Sequence, residues 1–188
     1  MVPSDEDIIG YYTGRQLVSF RRDSVDSAEL QGFILAVSDS LIMLQLVRDF
    51  LLDGYLLLDR RHITNARCHP TNRFQRQLMA TEGTVAKVPF DSQFKINSWS
   101  DYLNSLEPDT LIIVEQELSD PPFVHFGTYV DTDPDDFVRI HEFSGAGNWD
   151  NDLTHIPLEE ITCIQTDTNY LQPYSRYFKL HPKPEIPE

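Results

Sequence analysis

The chain has 188 residues, of which 40% are hydrophobic and 11% aromatic, and its formal net charge is -15. This composition is typical of a folded globular protein and excludes a chain that is disordered throughout. The most apolar stretch, 41–46, has the length of a strand, so no membrane partner is predicted. We expect a cytoplasmic protein, because the acidic N-terminus lacks a secretory signal and two cysteines, Cys68 and Cys163, do not indicate a disulfide framework.

The charge is divided unevenly between the two halves of the chain. Residues 15–80 hold nine arginines against seven acidic residues, whereas residues 107–179 hold three basic residues against fifteen acidic ones. Such asymmetry bears on the choice of partner rather than on the fold. The second half would repel nucleic acid, because nucleic-acid affinity depends on cationic neutralisation of phosphates.

The first half predicts a helix, five short strands and a closing helix. Ser4 followed by three acidic residues is a helix start, so a helix is predicted at 4–12. Alternating or continuous apolar residues then predict strands, with a loop at 23–29 and a turn at 48–53. The predicted strands are 16–22, 31–38, 41–47, 55–59 and 63–67, and the closing helix is 72–80.

A weaker copy of this order is predicted in the second half. It begins with a capped helix at 98–106 and ends with a helix at 172–180. Between them, the predicted strands are 110–116, a segment that starts at Phe126, 137–143, and a closing strand that starts at Ile161. The predicted domains are therefore a first repeat at 1–80, a linker at 81–97 with an edge strand at 85–90, a second repeat at 98–180, and an extended Pro-rich tail at 181–188.

This plan resembles the Sm-like variant of the SH3-type small barrel. The residues that carry the resemblance are Gly32, the LIMLQL strand at 41–46 and the segment GYLLLDRRHITNAR at 54–67. The chain is also similar to a group of uncharacterised bacterial proteins with an LDGY segment, here 52–55, and a GxWDxxxxxIPxExIT segment, here 147–162. The resemblance implies a mainly β protein with two tandem five-stranded barrels, each flanked by short helices. It implies no activity, because the bacterial group has no assigned function.

Acidic residues of the second repeat form the first candidate binding surface. A dense cluster of carboxylates would attract a basic protein partner and accelerate its association. The predicted residues are Asp131, Asp133, Asp135, Asp136, Asp150, Asp152, Glu159 and Glu160. A calcium loop from Asp131 to Glu142 is a weaker interpretation, because Pro134 and Asp136 replace the flexible residue and the glycine that such a loop requires.

Arginines of the first repeat form the second candidate surface, a guanidinium patch for phosphate or carboxylate groups. The predicted residues are Arg60, Arg61, Arg67, Arg73 and Arg76. The plainer interpretation is that these side chains pair with acidic groups or are solvated at the surface. Sm-like proteins that bind RNA place Arg-Gly between their last two strands, and neither repeat has that glycine.

No catalytic residue, metal ligand set or cofactor is predicted. The six histidines lack the spacing of a metal site, and Ser144 lies in a Gly-rich loop without the strand and helix of a nucleophile elbow. We therefore predict a non-enzymatic protein that binds a basic partner, with an inhibitor or immunity protein as one form. Two alternatives stay open: nucleic-acid binding through the arginines, and an enzyme with an unrecognised acidic site drawn from Asp131, Asp135, Asp150 and Asp152.

Overall fold

The computed structural model of the protein describes residues 2–184. The chain divides into two compact units, Met1–Asn97 and Ser98–Glu188. The described residues contain ten β-strands, all paired antiparallel within their units, and four short α-helices. None of these helices has the length and apolar character that a bilayer span requires. The predicted mainly β fold with short helices is confirmed.

The first unit contains two α-helices and five strands. They are α1 (Asp5–Thr13), β1 (Leu17–Arg22), β2 (Asp26–Val37), β3 (Leu41–Arg48), β4 (Leu51–Asp59), β5 (Asn65–Arg67) and α2 (Pro70–Thr81), with 3₁₀ helices at Arg60–His62 and Val85–Lys87. Hydrogen bonding places the strands in the order β5-β1-β2-β3-β4. The Ser4 hydroxyl accepts a hydrogen bond from the Asp7 amide at 3.1 Å, so α1 begins where its capping signal predicts.

The second unit repeats this order of elements. They are α3 (Trp99–Leu103), β6 (Leu111–Gln116), β7 (Phe123–Thr132), β8 (Phe137–Phe143), β9 (Trp149–Pro157), β10 (Cys163–Thr166) and α4 (Leu171–Leu180), with a 3₁₀ helix at Leu158–Glu160. The strands lie in the order β10-β6-β7-β8-β9. The predicted closed barrels are not confirmed, because the strand order within each unit is open rather than closed on itself.

A glycine allows close approach of strands at the same place in each unit. A Cβ built on Gly32 would lie 2.7 Å from the carbonyl oxygen of Gln45, and one on Gly127 would lie 2.2 Å from that of His141. Both distances are far below ordinary van der Waals contact. Gln45 and His141 are themselves buried, and each donates a side-chain hydrogen bond of 2.8 Å to a carbonyl on the next strand. Only glycine fits these two positions.

An Ile-Thr pair fixes the last strand of each unit to the end of its first strand. The Thr64 amide and hydroxyl bond the Arg21 carbonyl oxygen at 2.8 and 3.1 Å. The Thr162 amide and hydroxyl bond the Glu115 carbonyl oxygen, each at 2.9 Å. Each hydroxyl also lies 2.7 Å from a carboxylate, that of Asp23 or that of Glu117. These bonds join the turn after the 3₁₀ helix to the first strand.

Several predicted boundaries differ from the structure. The predicted loop at 23–29 contains the start of β2, and the predicted edge strand at 85–90 is instead a 3₁₀ helix followed by irregular chain. The predicted linker packs on the first unit, where the Phe90 ring contacts the Phe33 ring edge-on at 5.5 Å between centroids. Of the predicted tail, 185–188 lie outside the described residues, while Lys183 forms an ion pair with Asp109 at 2.6 Å.

Candidate acidic site on the second unit

The acidic hairpin, which we define as residues 130–160, contains nine acidic residues and a single arginine, Arg139. It comprises the end of β7, the turn into β8, the β8–β9 hairpin and the 3₁₀ helix that follows. All eight predicted acidic binding residues lie in it. The site is therefore built by one continuous stretch of chain, whose pairing register decides which carboxylates are near each other.

The turn between β7 and β8 uses two of these carboxylates for structure. The Asp133 carboxylate accepts hydrogen bonds from the amides of Asp135 and Phe137, both at 3.0 Å. Asp131 lies directly opposite Arg139, whose Nε donates to its carboxylate at 2.6 Å. This hydrogen bond and the guanidinium charge hold the pKa of Asp131 below its ordinary value. Asp131 and Asp133 therefore shape the turn.

Six of the predicted acidic residues are exposed, and within residues 2–184 five of them have a carboxylate with neither an ion pair nor a hydrogen bond; the sixth, Glu160, accepts from Gln116. Asp135 and Asp136 lie at the tip of the turn, and Glu159 lies in the 3₁₀ helix. The Leu158 amide bonds the Asp136 carbonyl oxygen at 3.0 Å, which brings the turn and the 3₁₀ helix together. The other two, Asp150 and Asp152, lie in β9. These five side chains are the part of the site available to a partner.

The exposed carboxylates form two groups at opposite ends of the hairpin. Asp135, Asp136 and Glu159 lie beside Phe137, where β8 begins, whereas Asp150 and Asp152 follow the pair between Phe143 and Trp149 at its other end. The seven residues of β8 span roughly 20 Å at about 3.3 Å per residue. The carboxylates of the suggested acidic enzyme site therefore do not converge on one point.

A line of polar side chains crosses one face of the second unit, and sequence reasoning missed it. His125 lies between Glu142 and Gln116, with each of its ring nitrogens 2.9 Å from one side-chain oxygen. Gln116 in turn donates to Glu160, so this predicted binding residue already has a partner. The sequence alone does not predict this contact, because His125 and Glu142 are brought together only by the pairing of Gly127 with Glu142.

Glu142 is ionised in this arrangement although it is half-buried. Burial disfavours the carboxylate, but hydrogen bonds from His125 and Thr154 outweigh that effect and lower the pKa of Glu142 below its ordinary value. Glu142 is therefore committed to His125. The weaker calcium interpretation loses both terminal ligands, since Asp131 is bonded to Arg139 and Glu142 lies at the far end of β8.

The five predicted arginines have acceptors within the first unit. Arg60 donates to the Ser38 carbonyl oxygen at 2.7 Å and forms an ion pair with Asp5. Arg61 donates to the buried Asp59 carboxylate at 2.7 and 2.9 Å. The other three acceptors are Glu29 for Arg67, the Cys68 carbonyl oxygen for Arg73 and the Arg15 carbonyl oxygen for Arg76. The structure gives these guanidiniums internal roles.

One further cluster has ligand-like geometry. Side-chain atoms of Glu115, Glu117 and Cys163 lie within 4.8 Å of one another. Its carboxylates are already bonded within the unit, Glu117 by the Thr162 hydroxyl at 2.7 Å and Glu115 by the Gln165 amide. Cys163 is buried and Cys68 is half-buried, and the two cysteines do not form a disulfide bond. We interpret the cluster as part of the packing around the Ile-Thr pair.

Comparison with known proteins adds no relative. No protein-family model, no curated protein and no solved structure matches the chain. The candidate site therefore rests on the sequence and geometry described above.

Proposed function

We propose that the protein is a non-enzymatic bacterial interaction module of the cytoplasm that binds a basic protein partner through the acidic hairpin. The observation that carries the proposal is the set of five exposed carboxylates that have neither an ion pair nor a hydrogen bond in the described residues: Asp135, Asp136, Asp150, Asp152 and Glu159. The three remaining predicted acids are held by Arg139, by backbone amides of the turn or by Gln116. Function is thus proposed for the carboxylates that the fold does not use.

The charge of the hairpin supports binding to a cationic surface rather than to nucleic acid. Nine acidic residues against one arginine create a negative field over a short stretch of chain. Such a field speeds encounter with a basic partner and makes the association rate fall as salt is added. An inhibitor or immunity-type protein, which covers a basic surface of its partner, is a specific form of this proposal.

We also propose that the two units are copies of one Sm-like module. Support comes from the identical strand order, from Gly32 and Gly127 at the same register, and from the Thr64 and Thr162 hydrogen bonds. The first copy keeps an apolar third strand, all but one of whose residues are buried, whereas three of the seven residues in the third strand of the second copy are only half-buried. On this proposal, the second copy diverged toward binding while the first kept the more apolar core.

Affinity capture from native lysate tests the proposed function with two variants of equal charge change. The second-unit variant is Asp135→Asn, Asp136→Asn, Asp150→Asn, Asp152→Asn and Glu159→Gln. The first-unit variant neutralises five exposed acids of the other unit: Glu6→Gln, Asp26→Asn, Asp39→Asn, Asp49→Asn and Glu82→Gln. We expect the wild type and the first-unit variant to retain a basic protein that the second-unit variant does not retain. High salt should release this protein from the wild type. Equal retention by both variants would refute the proposal.

A further inference from the structure

Strand β9 has one hydrogen-bonded neighbour, β8, within the described residues. A strand with one neighbour presents backbone donors and acceptors on its other side, and these can pair with an added strand. Nine residues form β9, which contains Asp150 and Asp152 and ends directly before the 3₁₀ helix that carries Glu159. The open edge and the acidic groups therefore belong to the same hairpin.

The pairing register shows which backbone groups point outward. The Leu158 amide donates to Asp136, which makes these two residues a hydrogen-bonded pair. Hydrogen-bonded and non-bonded pairs alternate along an antiparallel ladder. The pairs formed by Thr154 and Ile156 are thus bonded to β8, and the amides of Leu153 and His155 face away from it. Pro157 has no amide hydrogen, so the available edge ends there.

The edge also carries features that select its occupant. Asp150 and Asp152 lie in an irregular segment at one end, where the register between β8 and β9 shifts. A bulge and charged side chains protect an edge against indiscriminate pairing. A second copy of this chain would bring the same carboxylates opposite one another, which destabilises cross-strand pairing, whereas a cationic strand would form favourable pairs.

We propose that the β9 edge binds an extended, cationic segment of the partner protein, which adds as a strand at 153–156 with basic residues reaching the carboxylates at both ends. This inference rests on the proposed function and specifies its binding mode. The backbone of Leu153 and His155 supplies the strand hydrogen bonds. Asp152 and Glu159, which flank this stretch, supply the charge that selects lysine and arginine side chains.

The probe for this inference is a fluorescent peptide with two lysines at each end of an alternating Val-Thr core. Its matched control has the same sequence with alternate backbone amides methylated, which keeps the charge and removes strand hydrogen bonds. We expect anisotropy titrations at low salt to show binding of the unmodified peptide and at least tenfold weaker binding of the methylated one. Amide hydrogen exchange should slow at Leu153 and His155 on binding, and stay unchanged at Thr154 and Ile156.

A protein variant tests the same edge from the other side. His155→Pro removes one outward amide and leaves the ladder to β8 intact, whereas His155→Ala removes the same imidazole and keeps the amide. We expect the proline variant, verified as folded by circular dichroism, to lose at least tenfold in affinity and the alanine variant to bind like the wild type. The methylated peptide provides the same test if the proline variant does not fold.

The outcomes separate this inference from the proposed function. If the second-unit variant loses affinity while the methylated peptide binds as well as the unmodified one, the edge inference is wrong and the acidic hairpin still binds by charge. If the second-unit variant binds the peptide as tightly as the wild type does, both are wrong. The inference would also be overturned if the protein self-associates without peptide and this self-association slows hydrogen exchange at the Leu153 and His155 amides.

Discussion

Replacing Gly127 by alanine tests the bend on which the acidic hairpin is built. The new Cβ would lie 2.2 Å from the His141 carbonyl oxygen and 3.1 Å from the Glu142 Cα. Ordinary contacts between such atoms are about 3.5 Å, so the two strands must separate by on the order of 1 Å. That movement disturbs the hydrogen bond of the His141 ring to Asp150 and the contact of Glu142 with His125. Overpacking typically costs about 1–3 kcal/mol, and we expect the upper end of that range here because the close contact is with backbone atoms.

Denaturant unfolding of three variants measures this effect. We expect Gly127→Ala to be the most destabilised, followed by Gly32→Ala, whose Cβ would lie 2.7 Å from the Gln45 carbonyl oxygen. The control is Gly10→Ala in α1, where no atom lies within 4 Å, and it should gain about 0.5–1 kcal/mol from helix propensity. A Gly127→Ala protein as stable as the wild type would refute the close approach of β7 and β8.

Three further predictions concern the contacts described above. Thr162→Val should lower the free energy of unfolding by about 1–2 kcal/mol in denaturant titrations, because the Glu115 carbonyl oxygen and Glu117 lose their bonds to the hydroxyl, while Thr162→Ser should retain most of it. At pH values above the ordinary carboxyl pKa, the lowered pKa of Glu142 stabilises the fold, and this contribution should be lost as the pH falls through the pKa of Glu142 in the folded protein. Thermal melts of Glu142→Gln should therefore depend less on pH in the acid range than those of the wild type. Single-stranded RNA at low salt should show no binding that depends on Arg60 and Arg61, which a fluorescence titration of the double alanine variant would check.

Local signals in the sequence predicted most of the elements. The cap at Ser4 and the alternation of FVRIHEF predict α1 and β8, and both appear at the expected places. The apolar run of β3 predicts a buried strand, and seven of its eight residues are buried. These patterns predict the elements correctly because the burial of a strand or of a helix face follows from the spacing of apolar residues that are close together in the sequence.

Features that depend on pairing register were not predictable in the same way. After Trp149, strand β9 continues with Asp-Asn-Asp, residue types that are depleted in strands, and this segment lies at a register shift, so no local pattern marks the strand. The contact of His125 with Glu142 depends on how β7 pairs with β8. The internal acceptors of Arg73 and Arg76 are backbone carbonyl oxygens, which carry no sequence signal. The sequence places the eight acidic residues in the second half of the chain, but only the structure separates those used for folding from those left exposed.

The salt dependence of binding to the cationic peptide tests the central claim most directly. Anisotropy titrations over a range of salt concentrations would compare the wild type with the second-unit and first-unit variants. If the acidic hairpin is the binding surface, the wild type and the first-unit variant should share a steep loss of affinity with salt, and the second-unit variant should bind weakly with a shallow dependence. Equal slopes and equal affinities for the two variants would contradict the account, because overall charge rather than the acidic hairpin would then govern binding.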